Sequence, residues 1–344
     1  MELQQMRELL GSYNGPKVHI MEVCGSHTGA ISKNGIRGIL SPQITLVSGP
    51  GCPVCVTPTA YIDKLIELSL TPNTCVITFG DMLRVPGSKL CLSEAVSQGG
   101  RAVMVYSPMD ILAMAEKEPA TTFVFAAVGF ETTTPVYALL LEELEEKGIS
   151  NVKLLTALKT MPGVIEYLCK NGAKIDGFLA PGHVAAITGT KLFEPLAKAY
   201  QIPFAVAGFE GEEILEGLCG LIENMGKATV SNHYTQVVSE DGNTRAQALV
   251  EKYFKEADAA WRGMGIIAGT GRILREEYSK YDAGSIGLNE DNKKNKACCC
   301  DQILMGKMRP DECPLFGKVC KPLTPQGACM VSTEGSCHSL YTVS

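Results

Sequence analysis

Short apolar runs alternate with segments of helical periodicity along most of the chain. Apolar runs of strand length that are flanked by helices are typical of strands buried on both faces, because crossover helices cover both sides of a parallel sheet. The pattern therefore predicts an α/β protein built from parallel βαβ units. The predicted strands cover residues 18–23, 44–48, 75–79, 102–106, 123–128, 153–156, 177–180 and 204–207.

The strands fall into two series, and the second series begins near residue 121. We therefore expect one α/β lobe over residues 15–119 and a second over residues 120–268, with the loops of both lobes facing one cleft. In parallel sheets, functional loops gather at the carboxyl ends of the strands, so the residues that follow each strand are candidates for chemistry. The remaining segments, residues 1–14 and 269–344, are assigned to a third, cysteine-rich domain.

Helical periodicity is clear at the beginning of the chain and in two later segments. Apolar residues repeat on one face through residues 1–13, and helices are also predicted over residues 59–70 and 245–261. Residues 263–272 are rich in glycine, so a turn is predicted there. The Gly-Thr-Gly sequence at residues 269–271 lacks the lysine and the hydroxyl residue of a phosphate loop.

The composition is that of a globular protein with a sizeable core, since 45% of its 344 residues are hydrophobic and 20% are charged. The net charge of −6 and the lack of a lysine and arginine stripe argue against nucleic-acid binding. No apolar run reaches the length of a membrane span and residues 1–5 lack signal-peptide features, so we expect a cytoplasmic protein that does not contact a membrane. In a reducing cytoplasm, fourteen cysteines point to metal or redox chemistry rather than to disulfides.

Cys52 and Cys55 form a Cys-x-x-Cys pair in the loop between a predicted strand and the helix at residues 59–70. Gly49 and Gly51 are expected to let the backbone of this loop take positive φ. The N-terminus of the helix just downstream would stabilise a thiolate. The pair is therefore predicted to be reactive rather than merely packed.

Cys24 and His27 follow the first predicted strand with a Cys-x-x-His spacing. Together with Cys52 and Cys55 they form a possible four-ligand zinc set. An alternative is a dithiol that cycles to a disulfide, with Cys24 as a third thiol able to bind a soft metal such as iron. Thiols with only a structural role are the third interpretation. The position at strand ends in a cytosolic protein favours redox or iron chemistry, and the spacing leaves all three open.

Three further polar side chains follow predicted strands. His183 comes directly after a Pro-Gly pair, and Glu131 and Glu210 each come after a Gly-Phe pair. A lone histidine in such a place is often a core or capping residue, and the two carboxylates could serve only to compensate the charge of a helix N-terminus. If both lobes face one cleft, the same residues could instead relay protons or orient a ligand.

The most specific signal is the spacing of four cysteines in the tail, which six, eight and seven residues separate: Cys313, Cys320, Cys329 and Cys337. Four thiolates in a short segment suit an iron–sulfur cluster. Zinc is the alternative, but the close ligand pairs typical of zinc ribbons do not occur among these four. Residues 298–300, all cysteine, are near enough in sequence to compete as ligands.

Four segments together resemble the HypD family of maturation factors for NiFe hydrogenases. They are residues 21–28 (MEVCGSHT), 49–58 (GPGCPVCVTP), 129–135 (GFETTTP) and 180–184 (APGHV). The tail segments at residues 313–317 (CPLFG) and 327–337 (GACMVSTEGSC) resemble the part of the family that binds a cluster. The match spans nearly the whole chain in order. Family members often carry a second histidine two residues after the first, where this chain has Gly29.

The resemblance implies two Rossmann-like α/β domains around a cleft and a third domain that holds a 4Fe–4S cluster. It implies that the protein and the small chaperone HypC form the scaffold on which iron receives cyanide and carbon monoxide ligands. HypE, which HypF supplies, would deliver the cyanide. Cys24 would bind the iron transiently, and Cys52 and Cys55 would be the redox pair beside it. The further candidates for chemistry in the cleft are His27, His183, Glu131 and Glu210.

Two other functions fit parts of the sequence. A stand-alone thiol–disulfide oxidoreductase would use the Cys-x-x-Cys pair on general protein substrates, and would show disulfide reductase activity without HypC. A zinc-organised interaction module would use its cysteines only as structural ligands, and would be colourless and indifferent to reductant.

Overall fold

A computed structural model describes residues 1–172 and 174–343. Within them, strands and helices alternate as the hydrophobic pattern predicts, so the protein is α/β. The strands are β1 (Val18–Glu22), β2 (Ile44–Ser48), β3 (Thr74–Thr78), β4 (Ala102–Met104), β5 (Thr122–Gly129), β6 (Val152–Lys159), β7 (Gly177–Pro181), β8 (Phe204–Ala207), β9 (Val230–Asn232), β10 (Phe254–Trp261) and β11 (Gly265–Leu274). The helices are α1 (Leu3–Gly11), α2 (Gly25–Lys33), α3 (Pro53–Val56), α4 (Thr59–Leu70), α5 (Leu92–Ser97), α6 (Asp110–Lys117), α7 (Thr134–Glu146), α8 (Met161–Asn171), α9 (Gly182–Thr188), α10 (Glu194–Tyr200), α11 (Gly211–Glu223), α12 (Thr244–Tyr253), α13 (Cys300–Leu304), α14 (Ala328–Val331) and α15 (Ser336–Tyr341).

Local sequence accounts for the longer helices. In α4, Tyr61, Ile62 and Leu65 recur at helical spacing and are buried, while the opposite face is polar. In α11, Glu210 and Glu213 form a capping box that satisfies backbone N–H groups at the first turn. The apolar face of each helix lies against a sheet, and burying one large apolar side chain stabilises the fold by about 1.5–3 kcal/mol.

The strands form two sheets. Sheet A has the order β2-β1-β7-β8-β9, and all of its pairs are parallel. Sheet B has the order β10-β11-β6-β5-β3-β4, in which β3 to β6 are parallel and the β10–β11 hairpin adds antiparallel strands at one edge. A cysteine-rich tail follows sheet B in sequence.

Each sheet takes strands from both halves of the chain, which corrects the predicted lobes. Sheet A combines β1 and β2 with β7 to β9, and sheet B combines β3 and β4 with β5, β6, β10 and β11. A boundary at residue 120 therefore does not separate one sheet from the other. The alternation of strand and helix predicts strands, but it does not encode which strands become neighbours.

The predicted helix over residues 245–261 is half wrong. Helix α12 ends at Tyr253, and the chain continues as β10, which pairs with β11 in an antiparallel hairpin. The expected glycine-rich turn, including residues 269–271, lies within β11. A domain boundary at residue 269 would cut this hairpin, which belongs to sheet B because β11 also pairs with β6.

One apolar core connects both sheets with the tail. Phe178 and Phe204 of sheet A stack with ring centroids 5.0 Å apart. They belong to the same buried cluster as Trp261 of sheet B and Cys329 of the tail. The tail is therefore anchored to the body of the protein by packing. In the part of the chain that the structure describes, none of the helices combines the length and the apolar character needed to cross a bilayer.

Candidate metal and thiol site

The carboxyl edge of sheet A brings together most of the predicted site. The loops after β1, β2, β7 and β8 carry Cys24, Cys52, His183 and Phe209, in that order. The loops of Cys24 and His183 were expected to face each other from two lobes. They instead lie side by side, because β1 pairs directly with β7 in one parallel sheet.

Cys24 and His183 are in direct contact. The Sγ atom of Cys24 lies 3.3 Å from Nε2 of His183. Burial raises the pKa of the Cys24 thiol to about 12 and lowers the pKa of the His183 imidazole. Both groups are therefore neutral near pH 7, with a thiol proton next to a ring nitrogen that can accept it.

The Cys52 loop lies against the Cys24 loop through backbone contact. The N–H of Gly25 donates to the carbonyl of Gly51 at 3.1 Å. A Cβ on Gly51 would lie 2.2 Å from the backbone nitrogen of Cys24, so only glycine fits there. Gly49 and Gly51 do not take the positive φ that we expected. Their role is close approach between the two loops.

Cys52 and Cys55 lie at the two ends of the first turn of α3. Cys52 is the N-cap residue, and its Sγ accepts a hydrogen bond of 3.2 Å from the N–H of Cys55. Cys55 is fully buried, and its pKa is raised by burial and by the neighbouring thiols of Cys329 and Cys52. The expected stabilisation of a thiolate is therefore not found at Cys55, because desolvation outweighs the field of a four-residue helix.

His27 does not contact Cys24 but packs against the loop after β8. Its Nε2 lies 2.8 Å from the carbonyl oxygen of Gly208, which can only accept, so Nε2 carries the proton. Burial lowers the pKa of His27 to about 4, so the ring is neutral. Phe209 lies between the two histidines, with ring centroids 4.8 Å from His27 and 4.6 Å from His183. This stack covers the side of His183.

The two predicted glutamates lie elsewhere. Glu131, which follows β5 in sheet B, accepts a 2.7 Å hydrogen bond from the N–H of Met161 and lines a separate cavity with Arg272. Burial raises the pKa of Glu131 to about 7. Glu210 is exposed and caps α11. The structure thus gives each carboxylate a place at a helix N-terminus and brings neither into contact with Cys24.

Sequence reasoning missed two acidic groups near Cys24. Glu334 in the tail accepts a 3.0 Å hydrogen bond from Ser26 Oγ, and burial raises its pKa. Glu22 at the end of β1 is fully buried, accepts hydrogen bonds of 2.8 and 2.9 Å from Thr28, and has a pKa raised to about 7. The position of Glu334 between two candidate cluster cysteines is the signal that could have identified it.

The four predicted cluster cysteines are buried within one region of the tail. Cys313, Cys320, Cys329 and Cys337 are between 0% and 8% exposed. Cys329 interacts with the thiols of Cys337, Cys300 and Cys55, and these three hydrogen-bonding neighbours lower its pKa. The tail thiols therefore meet the Cys52–Cys55 pair at Cys329.

Two of the three consecutive cysteines belong to the same region. Cys298 and Cys300 are buried, with their Sγ atoms 3.3 Å apart, and Cys299 is half-exposed beside Cys313. Gly327 packs closely against Cys298 and Cys300, because a Cβ at this position would lie 2.6 Å from each of their sulfur atoms. No disulfide forms among the described cysteines.

Among the described residues, no three side chains of the histidine, cysteine, aspartate or glutamate type are placed to hold a single metal ion. A cluster distributes its thiolates over several iron atoms, so its ligands need not converge on one point. Four buried thiols within a short segment offer the soft sulfur donors that fit such a group.

The fold and the site define an α/β protein in which one thiol–histidine pair, one dithiol and a cysteine-rich tail meet at the edge of a parallel sheet. The family model "Hydrogenase formation hypA family", named HypD, matches residues 2–344. The chain belongs to the HypD family of hydrogenase maturation factors.

Similar proteins cover nearly the same length. A putative hydrogenase expression/formation protein of Methanocaldococcus jannaschii is 44% identical over 94% of this chain and 92% of its own. The hydrogenase maturation factor HypD of Rhodobacter capsulatus is 37% identical over 99% of this chain and 93% of its own. The factor of the same name from Escherichia coli is 38% identical over 94% of this chain and 88% of its own.

Proposed function

We propose that this protein is the scaffold on which an iron substrate receives cyanide and carbon monoxide ligands, to form the Fe(CN)2CO unit of a NiFe hydrogenase. A HypC-type chaperone would share the iron, and HypE, with HypF upstream, would deliver the cyanide. The proposal rests on family membership and on one observation above all, the contact between Cys24 and His183 beside the Cys52 loop.

Cys24 is the proposed anchor of the iron. A thiol binds iron as the thiolate, so a thiol whose pKa is raised to about 12 must lose its proton during binding. His183 is placed to accept that proton, since its Nε2 lies 3.3 Å from the sulfur and the imidazole is neutral. Cys24 then becomes a thiolate and His183 becomes an imidazolium.

Cys52 and Cys55 are the proposed source of electrons for the iron substrate. Oxidation of the two thiols to one disulfide releases two electrons and two protons. The N–H of Cys55 donates to Cys52 Sγ, which places the two residues in one helical turn where such a bond could form. The neighbouring thiol of Cys329 raises the pKa of Cys55, so the pair lies next to the tail.

Cys313, Cys320, Cys329 and Cys337 would hold a 4Fe–4S cluster. When bound, such a cluster supplies or accepts electrons one at a time. The chain's own contribution is burial, which excludes water from all four sulfurs. A cytoplasmic location, where thiols stay reduced, would suit this set of residues.

The anchoring role can be tested by anaerobic co-purification with HypC. Cys24→Ala should abolish the iron retained in the complex, because alanine offers no ligand. Cys169→Ala is the matched control, since Cys169 is a half-buried cysteine on α8, outside the site. Full retention of iron by Cys24→Ala, at unchanged complex yield, would contradict the anchoring role.

The cluster and the two rival functions can be separated with the same preparation. Iron and acid-labile sulfide, visible absorption and an EPR signal after reduction are expected. Zinc without sulfide would support the interaction module instead. A general oxidoreductase would reduce protein disulfides without HypC, but Cys52 is only 4% exposed and Cys55 is 0% exposed, so little activity of that kind is expected.

A further inference from the structure

A cavity of about 350 Å³ lies beside the carboxyl-terminal half of β6. Its walls come from β6, the β10–β11 hairpin, the start of α4 and the loop at residues 285–289. The cysteine chemistry proposed above does not use this cavity. Ligand pockets of this size commonly combine apolar walls with a few polar groups, and this cavity has that character.

Lys159 is the buried charged group in the wall of the cavity, which Asp258 and Arg272 also line. The residue is only 2% exposed, and its Nζ lies over the ring of Trp261, 5.7 Å from the centroid. In the described part of the chain, no hydrogen bond or ion pair is found for this ammonium, although Asp258 lines the same cavity. The nearby charge that acts on it is the guanidinium of Arg262, which has the same sign. A buried cation in this position lacks a counter-ion.

Thr156 provides a second polar group without a partner. The residue is 6% exposed and lines the same cavity, and among the described residues its Oγ1 has no hydrogen-bond partner. Its backbone N–H is satisfied by Ser285 Oγ at 2.8 Å, so only the hydroxyl is left unpaired. Side chains three residues apart on an unbroken strand point to opposite faces, so this hydroxyl does not share a ligand with Lys159.

The mouth of the cavity is apolar. Ile266 and Ile286, which both line it, are 55% and 77% exposed, so the mouth presents apolar surface to water. Lys159 and Arg272 give the wall two positive charges against the one negative charge of Asp258. With its apolar mouth, the cavity is therefore complementary to a molecule with an anionic head and a short hydrocarbon body. A bare inorganic anion would leave the isoleucines in water.

We propose that this cavity binds a short organic acid. Its carboxylate would accept a hydrogen bond from Lys159 Nζ, and its hydrocarbon body would contact Ile266 and Ile286. The low pKa of Lys159, about 7 without a ligand, would rise when the carboxylate pairs with it. This site is independent of the iron chemistry proposed at Cys24.

The test uses the full chain with butyrate as the probe, followed by calorimetry and thermal unfolding. Butyrate should bind saturably and raise the unfolding temperature, because it binds the folded state. Butyramide, which has the same shape without the charge, should not. Binding of inorganic phosphate as tightly as butyrate would overturn the assignment to an organic acid, and absence of butyrate binding would overturn the site.

Two variants test whether the ligand binds in the cavity. Lys159→Met keeps the length of the stem and removes the charge, so butyrate affinity should fall by at least about tenfold. Lys153→Met, on the same strand but outside the cavity wall, should bind as the unaltered protein does. Unchanged affinity in Lys159→Met would exclude Lys159 as the binding group.

A variant at the mouth keeps the test valid if Lys159→Met does not fold. Ile286 is exposed, so Ile286→Glu should fold normally and repel the carboxylate. Ile286→Gln loses the apolar contact without adding charge and should bind more tightly than Ile286→Glu. Equal affinity in these two variants would show that the anion does not lie in the cavity.

Discussion

Burial controls the reactivity of the thiols at the scale of single residues. The pKa of Cys24 is raised to about 12 because its thiol is removed from water, and Phe209 covers the His183 ring beside it. Alkylating reagents attack thiolates, so both burial and the aromatic cover should slow them. The ring of Phe209 also contacts His27, so it is held between the two histidines.

Replacing Phe209 should therefore expose Cys24. In native protein, iodoacetamide should modify the half-exposed Cys91 well before Cys24, and Phe209→Ala should speed the modification of Cys24 several-fold. Peptide mass spectrometry over time measures both rates. Tyr106→Ala, which removes an aromatic ring that is 89% exposed, is the control and should leave the rate at Cys24 unchanged. Early labelling of Cys24 in the unaltered protein would contradict the burial.

The buried carboxyl of Glu131 makes stability depend on pH. Its pKa is about 7 in the folded state and 4.5 in the unfolded chain, so between these values the folded state holds a proton that the unfolded state has lost. This contribution to stability is full below pH 4.5 and is lost as pH rises through about 7. The slope is about 1.4 kcal/mol per pH unit, or roughly 3 kcal/mol over the window.

Glu131→Gln should remove this dependence. The amide oxygen can still accept from the N–H of Met161, and the variant has no proton to lose. Urea unfolding at pH 5 and pH 8 should show that the unaltered protein loses stability relative to the variant as pH rises. Glu210→Gln is the exposed counterpart and should follow the unaltered protein at both pH values. Parallel pH profiles for Glu131→Gln and the unaltered protein would contradict the raised pKa.

At the scale of elements, the contact between the loops after β1 and β2 places the thiols. Gly51→Ala would push a methyl group into the backbone of Cys24, with an expected cost of about 3 kcal/mol because the opposing atoms are not a flexible side chain. Iron retention should fall with it, since the two loops must separate. Chemical unfolding and metal analysis measure the two effects.

Gly29→Ala is the matched control in the same region. A Cβ at Gly29 would meet nothing within 4 Å, and the residue lies inside α2. Alanine there should stabilise the protein by roughly 0.5–1 kcal/mol, because glycine loses more entropy in a helix. If Gly51→Ala were as stable as Gly29→Ala, the close approach of the loops would be refuted.

Single elements were predictable where local pattern and tertiary contacts agree. The strands at residues 44–48 and 204–207 and the helix at residues 59–70 are confirmed at their predicted bounds. The segment from Phe254 to Trp261 contains three alanines, one glutamate and one lysine, which favour helix, yet it forms β10 because β11 pairs with it. The three-residue, half-buried β9 has too short a pattern to be recognised.

The site was predictable in its residue types but not in its contacts. Spacing singled out Cys24, the Cys52 loop and the tail, because thiols at strand ends and in short segments have few structural uses. The meeting of Cys55 with Cys329 joins positions that are far apart in sequence, and it depends on packing of α14 against α3. No local pattern reports such a contact.

At the scale of the whole molecule, strand order is what the sequence leaves undetermined. Two successive series of strands suggest two lobes, but β1 pairs with β7, and β3 pairs with β5. Each of these parallel pairings depends on a long crossover whose destination is decided by complementary apolar faces. The two sheets are consequently interlocked by the chain, since each contains strands from before and after residue 120.

Because each sheet contains strands from both sides of residue 120, we expect that cutting the chain there will not release a separate lobe. A protease site inserted at the exposed residues 119–120 of the loop between α6 and β5 should be cleaved in the native protein. The two pieces should still elute together in native size-exclusion chromatography, because the cut separates β1 from β7 and β3 from β5 only covalently. They should come apart in urea. Two pieces that elute separately in native buffer would show that lobes 15–119 and 120–268 are independent, since only strand pairing and the shared core hold the nicked chain together.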